Sequence, residues 1–110
     1  MSGPQSDVLL QLAATINARR TAAAENSYTR QLLDAGPARC AKKFGEEAVE
    51  TVIAAAAESD DALKSEAADL LYHLLVLLES RNVSLTDVLA VLAKRQGMSG
   101  LQEKAQRPHR

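Results

Sequence analysis

The chain has 110 residues, enough for one domain with a modest hydrophobic core. Its formal net charge of −1 at pH 7 does not indicate binding to nucleic acid or to a membrane surface. No apolar run approaches the roughly 20 residues of a transmembrane helix, and no basic segment typical of a signal peptide precedes the first apolar run. A single cysteine, Cys40, excludes an intramolecular disulfide, so we expect a soluble protein of the cytoplasm.

The composition favours an all-α fold. Hydrophobic residues make up 46% of the chain but aromatic residues only 3%, and the apolar residues are mostly Ala, Leu and Val. Because Ala and Leu are strong helix formers, we expect a bundle of four to five helices. Residues 1–96 are predicted to form a single domain, and the polar residues 97–110 are predicted to be a disordered tail.

Helix-capping residues and apolar periodicity place the first three helices. The first begins after Ser6 or Asp7 and weakens near Arg19–Ala24, and its buried stripe comprises Val8, Leu9, Leu12 and Ile16. The second is a short helix capped by Asn26 or Ser27 and ended by Gly36 and Pro37. The third begins at Pro37, which suits a first helical turn, and continues to about Glu58.

Two further helices follow. The fourth runs from about Ser59–Asp61 to about Arg81, and the fifth is capped by Ser84 and ended by Gly97. The predicted core stripe of the fifth helix comprises Leu85, Val88, Leu89 and Leu92. The segment Leu70–Leu78 of the fourth helix is apolar on almost every side, so it must be covered from several directions. A single chain of short helices has difficulty covering such a helix, and we therefore expect a homodimer whose interface includes it.

Carboxylates recur at helical spacing on the third and fourth helices. Glu47 and Glu50 form one pair, and Glu66 and Asp69 form another, because residues three apart are neighbours on a helix surface. If the hairpin turns near Ser59–Asp60, Glu50 comes level with Asp69 and all four carboxylates converge. Like charges gathered so closely repel one another unless a cation lies between them.

The residues around these acids indicate which way the acids point. At 100° per residue, the face of the fourth helix that carries Glu66 and Asp69 continues into Leu70, His73 and Leu77. An ordinary solvated stripe would continue as Lys, Glu and Gln, so we expect these acids to face the third helix. Carboxylate and water oxygens are the ligands that Mg²⁺ prefers, and a magnesium site is the interpretation we favour over surface acids paired with nearby lysines and Arg39.

Four segments extend this interpretation, because they resemble a known family. The acids, Glu-Glu-x-x-Glu followed by Glu-x-x-Asp, resemble the metal motif of the MazG-like all-α nucleotide pyrophosphohydrolase superfamily. The more specific segments resemble the phosphoribosyl-ATP pyrophosphohydrolase family of histidine biosynthesis. They are SYTRQLLDAG (27–36), KKFGEEAVETVIAA (42–55), EAADLLYHLLVLL (66–78) and LTDVLAVLAKR (85–95). Asn26 departs from the pattern, since a glycine is expected before the SYT segment.

The resemblance implies an activity, a cofactor and a set of site residues. The implied reaction is Mg²⁺-dependent hydrolysis of phosphoribosyl-ATP to phosphoribosyl-AMP and pyrophosphate, with water attacking the α-phosphorus. The implied metal ligands are Glu47, Glu50, Glu66 and Asp69. Lys43 is the candidate cation for the leaving pyrophosphate, or it forms a simple ion pair with Glu47. Glu46 either holds or deprotonates the attacking water or only forms an ion pair.

The remaining candidates are open to two interpretations each. His73 either hydrogen-bonds the Asp69 carboxylate or is a hydrogen-bonded core histidine. Ser27 and Tyr28 stand at a helix N-terminus, where free N–H groups favour phosphate, although Ser27 also suits a capping role. Arg95 either reaches an anion of the substrate or favours the C-terminus of its own helix.

Two other functions remain open on the sequence. One is a MazG-like house-cleaning enzyme that acts on other nucleoside triphosphates, which would share the acids without needing the SYT and YHLLVLL segments. The other is a helical dimer without enzymatic activity, which predicts no dependence on Mg²⁺. A panel of substrates separates the first from the favoured reaction, and metal dependence separates the second.

Overall fold

The computed structural model describes residues 7–21 and 27–96, which form five α-helices. The helices are α1 (Val8–Ala18), α2 (Tyr28–Ala35), α3 (Pro37–Ala57), α4 (Asp60–Ser80) and α5 (Leu85–Arg95), and a 3-10 turn at Arg19–Thr21 follows α1. No strand occurs in these two ranges, so the predicted all-α class is confirmed. The predicted tail at 97–110, including the predicted stop at Gly97, lies outside the described residues.

Serine side chains begin three of the helices. Ser27, Ser59 and Ser84 each accept a hydrogen bond of 3.1 Å from the backbone N–H three residues further on. Such caps satisfy N–H groups that have no partner within the helix. Gly36 separates α2 from α3 with a φ of +98°, a conformation that favours glycine. These local signals explain why the predicted helix bounds agree closely with the structure.

The hairpin of α3 and α4 is the framework on which the other helices pack. These two helices share the most extensive contact in the described chain, while α2 packs against both of them and α1 packs against α4. The main core lies among α1, α2, the start of α3 and the second half of α4, and its buried members are Ile16, Leu32, Cys40, Leu75 and Val76. None of the described helices combines the length and hydrophobicity needed to span a membrane.

Several residues that the sequence assigned to buried stripes are exposed in the single chain. Val8 of α1 is 51% exposed, and Leu89 and Leu92 of α5 are 37% and 53% exposed. The single chain therefore does not bury these three residues. On α4 the apolar segment is only partly covered, since Leu71 is 43% exposed while Leu75 is buried. Dimerisation remains a prediction.

Candidate metal and phosphate site

Three of the predicted acidic ligands come together between α3 and α4. One carboxylate oxygen from each of Glu47, Glu66 and Asp69 lies within 4.8 Å of the other two. Glu47 and Glu66 are half-buried, whereas Asp69 is exposed. The group is therefore open to solvent on the Asp69 side, and it could receive a hydrated cation or a ligand from that side.

Glu50 lies outside the group of three within 4.8 Å, although its charge acts on Glu66. The Thr51 hydroxyl lies 2.8 Å from the carbonyl oxygen of Glu47 and 3.3 Å from that of Glu66, so Thr51 is level with Glu66. Glu50 is then level with Ala67, not with Asp69 as the sequence predicted, because the turn lies at Glu58–Ser59. Three of the four predicted carboxylates meet within 4.8 Å, and metal binding by Glu50 stays a prediction.

Glu66 has the environment of a metal ligand. Its Oε1 atom is buried and makes no hydrogen bond to any described residue. Burial raises the pKa of the Glu66 carboxyl group, and the negative charges of Glu50, Glu47 and Asp69 raise it further. A buried, charged oxygen without a partner is costly, and a hard cation would satisfy it. The all-oxygen donor set therefore fits Mg²⁺.

Lys43 lies one helical turn before Glu47 and is paired with Glu46. Its Nζ atom is 3.3 Å from Glu46 Oε1, so the alternative ion pair predicted with Glu47 is replaced by one with Glu46. The hydrogen bond to Glu46 raises the pKa of Lys43, and the neighbouring Tyr28 and Glu47 raise it further. Lys43 therefore remains a cation at neutral pH, with donors left for an anionic ligand.

His73 is buried and hydrogen-bonded at both ring nitrogens. Nδ1 lies 2.8 Å from the main-chain carbonyl oxygen of Asp69, and Nε2 lies 3.3 Å from the hydroxyl oxygen of Tyr28. The bond predicted to the Asp69 carboxylate goes instead to the carbonyl, because on a helix the ring reaches the backbone of the preceding turn. The prediction of a hydrogen-bonded core histidine is confirmed.

The SYT segment packs against α4 rather than presenting all three side chains to a ligand. Ser27 is buried and caps α2, which confirms its structural interpretation. Thr29 is buried as well, and its hydroxyl lies 2.5 Å from that of Tyr72. Tyr28 is 50% exposed and stacks against Tyr72 with ring centroids 6.4 Å apart. Tyr28 is thus the member of the segment with a surface available to a ligand.

Arg95 occupies the last turn of its helix, as one of its two interpretations requires, and its role towards the substrate stays a prediction, whereas Thr51 was missed by the sequence interpretation. Arg95 lies in the last turn of α5, a helix whose main contacts are with α1 rather than with the acidic hairpin. Thr51, which fixes the register beside the acids, was not singled out. Its position could have been found, because it lies four residues after Glu47 and therefore on the same helical face.

Comparisons with known proteins agree with this arrangement. Residues 9–96 match the family described as phosphoribosyl-ATP pyrophosphohydrolase. The phosphoribosyl-ATP pyrophosphatase 1 of Rhodopseudomonas palustris is 60% identical over 90% of this chain and 92% of its own. The phosphoribosyl-ATP pyrophosphatase 1 of Bradyrhizobium diazoefficiens is 62% identical over 87% of this chain and 91% of its own. The phosphoribosyl-ATP pyrophosphatase of Jannaschia sp. is 59% identical over 90% of this chain and 97% of its own. Because the match spans most of the chain and includes both acidic segments, the chain belongs to the phosphoribosyl-ATP pyrophosphohydrolase family.

Proposed function

We propose that this protein hydrolyses phosphoribosyl-ATP to phosphoribosyl-AMP and pyrophosphate, the second step of histidine biosynthesis, and that it does so in the cytoplasm. The family membership and the names of the relatives support the reaction. The observation that carries the proposal is the group formed by Glu47, Glu66 and Asp69, in which Glu66 Oε1 is buried without a partner. A cation bound by these carboxylates would also bind the anionic phosphate oxygens of a triphosphate substrate.

We propose Mg²⁺ as that cation, which Glu47, Glu66 and Asp69 would hold, with Glu50 adding negative charge beside them. When bound, Mg²⁺ neutralises phosphate charge and orients the phosphate chain. The support comes from the donors, which are all carboxylate oxygens. The described part of the chain offers no cluster of His and Cys side chains at this place that would favour zinc.

The chain's own residues have separate tasks in the proposed reaction. A water oxygen forms a bond to the α-phosphorus, and the bond from that phosphorus to the α–β bridging oxygen breaks, which releases pyrophosphate. Lys43 is placed to stabilise the negative charge that develops on the leaving group. Glu46, whose Oε1 is paired with Lys43, has a second carboxylate oxygen with which it can orient the attacking water and accept its proton.

We propose that the active form is a homodimer. Val49, Val52 and Ile53 share one face of α3 and are 59%, 66% and 49% exposed in the single chain. Apolar residues at this spacing form a continuous stripe, and an exposed stripe of this kind is typical of a surface that binds another protein. A second copy of the chain would cover it together with Leu71 of α4.

The test is release of pyrophosphate from phosphoribosyl-ATP by the native protein and by Glu66→Gln, with and without Mg²⁺. ATP and dCTP serve as competing substrates. We expect release from phosphoribosyl-ATP alone, dependent on Mg²⁺ and reduced at least about 100-fold by the substitution, since a ligand that binds the metal directly is lost. The matched control is Glu58→Gln, which removes an exposed carboxylate at the end of α3.

Three results would contradict the proposal in whole or in part. Release from ATP and dCTP but not from phosphoribosyl-ATP would assign the same site to other nucleoside triphosphates. No release from any substrate by folded protein would remove the enzymatic function. Full activity in the presence of excess EDTA would leave the reaction in place and exclude the metal.

A further inference from the structure

Two hydrogen bonds join the beginning of α2 to the middle of α4. The Tyr28 hydroxyl lies 3.3 Å from His73 Nε2, and the Thr29 hydroxyl lies 2.5 Å from that of Tyr72. Consecutive residues of α2 are thus paired with consecutive residues of α4. The position of Tyr28 is set by α4, the helix that also carries Glu66 and Asp69.

The hydrogen bond from His73 to the Asp69 carbonyl determines which group is the donor in the hydrogen bond between His73 and Tyr28. A carbonyl oxygen can only accept, so Nδ1 donates its hydrogen to the carbonyl of Asp69. In the neutral imidazole Nε2 is then an acceptor, and the Tyr28 hydroxyl donates to it. The two hydrogen bonds therefore connect Tyr28, through His73, to the backbone carbonyl of Asp69, which lies one helical turn before His73 on α4.

Tyr28 is half exposed although its hydroxyl has a hydrogen-bond partner. The hydroxyl points at a buried imidazole, whereas the residue as a whole remains 50% exposed. Tyr72 stacks on the ring at 6.4 Å with an angle of 22° between the planes, and His73 contacts it edge-on at 6.1 Å. An aromatic ring supported on one side and exposed on the other can bind a second flat ring by stacking.

We propose that the exposed face of Tyr28 is the surface on which the adenine ring of the substrate stacks, and that His73 is a positioning residue that holds Tyr28 there. This inference rests on the proposed function, because it takes phosphoribosyl-ATP as the substrate. With the α-phosphate at the carboxylates, the ribose separates the reacting centre from the base. Tyr28 is joined through His73 to the backbone of Asp69, so its ring is placed on the same helix as two of the carboxylates that would hold the phosphates.

The test compares inhibition by the two products, since only one of them carries adenine. Phosphoribosyl-AMP and pyrophosphate are each used as inhibitors of phosphoribosyl-ATP hydrolysis by the native enzyme and by Tyr28→Leu. Loss of a base–aromatic stack weakens binding about tenfold or more. We therefore expect inhibition by phosphoribosyl-AMP to weaken about tenfold and inhibition by pyrophosphate to stay within twofold of the native value.

Three further variants test the role of the Tyr28 hydroxyl. Tyr28→Phe keeps the ring, so its KM should rise less than that of Tyr28→Leu. Val91→Ala on α5 is the control, because Val91 is exposed and lies outside the aromatic cluster, and its inhibition constants should match the native ones. If His73 acts through the Tyr28 hydroxyl, His73→Gln should raise KM no more than Tyr28→Phe, and combining the two should add nothing.

The outcomes separate this proposal from the function on which it rests. Native hydrolysis of phosphoribosyl-ATP together with unchanged phosphoribosyl-AMP inhibition in Tyr28→Leu would overturn the stacking role and leave the function intact. Equal weakening of both inhibitors would also overturn it, because it would indicate general damage to the site. Failure of the native protein to hydrolyse phosphoribosyl-ATP would overturn both.

Discussion

Glu47 on α3 and Glu66 on α4 bring carboxylate oxygens within 4.8 Å of each other across the helical hairpin. Thr51 contributes to this approach, because its hydroxyl is within hydrogen-bond distance of the backbone carbonyls of both residues. The hairpin thus holds two like charges close together on a rigid framework. Such an arrangement is unfavourable for the metal-free protein and favourable for a cation.

The first prediction concerns the relative importance of the acids. We expect Glu47→Gln to lower kcat/KM at least about 100-fold, because it removes a direct metal ligand, and Glu50→Gln to lower it by only about 10-fold, because Glu50 lies beside the group. Steady-state hydrolysis of phosphoribosyl-ATP at saturating Mg²⁺ measures both. An equal loss in the two variants would show that Glu50 binds the metal directly instead of lying beside the three ligands.

The second prediction concerns stability and pH without metal. Because the pKa of Glu66 is raised in the folded protein, the unfolded state loses its proton first as pH rises, and folding becomes less favourable through the interval up to the raised value. Glu66→Gln removes this dependence, so the metal-free variant should unfold at a higher temperature than the native protein at pH 7. Thermal unfolding between pH 4 and pH 7 in EDTA measures the difference.

The control for this prediction is the same comparison at pH 4. There the native Glu66 is protonated and resembles glutamine, so the two unfolding temperatures should converge. A native protein that is more stable than Glu66→Gln at pH 7 without metal would contradict the claim that the acids repel one another.

The third prediction is that Mg²⁺ makes the native protein unfold at a higher temperature than Glu66→Gln, the reverse of the order expected without metal. A ligand that binds only the folded state at 100 times its Kd stabilises it by about 2.7 kcal/mol. We expect Mg²⁺ to raise the unfolding temperature of the native protein and of Glu58→Gln, and to leave that of Glu66→Gln almost unchanged. NaCl at matched ionic strength controls for screening. An equal rise in all three proteins would place the bound Mg²⁺ elsewhere.

The extent to which the sequence determined these features differs between the fold and the site. Helix bounds were predictable because serine caps, Pro37 and Gly36 are local signals read from a few residues. The inward direction of Glu66 was also predictable, because its helical face continues into leucines. Register was less predictable, since a shift of the turn by one residue moves Glu50 away from Asp69, and no local signal determines that shift.

Side-chain partners were the least predictable part. The sequence placed His73 on the acidic face, but whether its ring met a carboxylate or a carbonyl depended on the rotamer. The pairs of Tyr28 with His73 and of Thr29 with Tyr72 join residues more than 40 positions apart. Such contacts follow from how α2 docks on α4, and periodicity within one helix carries no information about docking.

The fourth prediction concerns the exposed stripe on α3. If a second copy of the chain covers Val52, then Val52→Glu places a charge in an apolar interface and should raise the dimer dissociation constant at least about 100-fold. Sedimentation equilibrium over a range of protein concentrations measures this. Val91→Glu on α5 is the matched control, because Val91 is 48% exposed but lies on another helix. A native protein that stays monomeric at high concentration would contradict the homodimer.

The fifth prediction concerns Arg20, which fastens the end of α1 to the end of α4. Its guanidinium group contacts the side chain and the main-chain carbonyl of Glu79 and donates a 2.9 Å hydrogen bond to Asn82 Oδ1. Glu79 also accepts a 3.0 Å hydrogen bond from Asn17 Nδ2. Arg20 is therefore part of a group of polar contacts that joins the end of α1 to the end of α4. Hydrogen bonds to charged groups contribute about 1.5–3 kcal/mol each when well formed, but partial exposure to solvent reduces this.

We therefore expect Arg20→Met to lower the free energy of unfolding by about 1–2 kcal/mol, with kcat and KM unchanged because the contacts lie away from the acids. Urea unfolding monitored by circular dichroism measures the change. Arg19→Met, which alters the exposed neighbour, should change stability by less than about 0.5 kcal/mol. Equal effects of the two substitutions would mean that the loss reflects the 3-10 turn itself and not the contacts of Arg20 with Glu79.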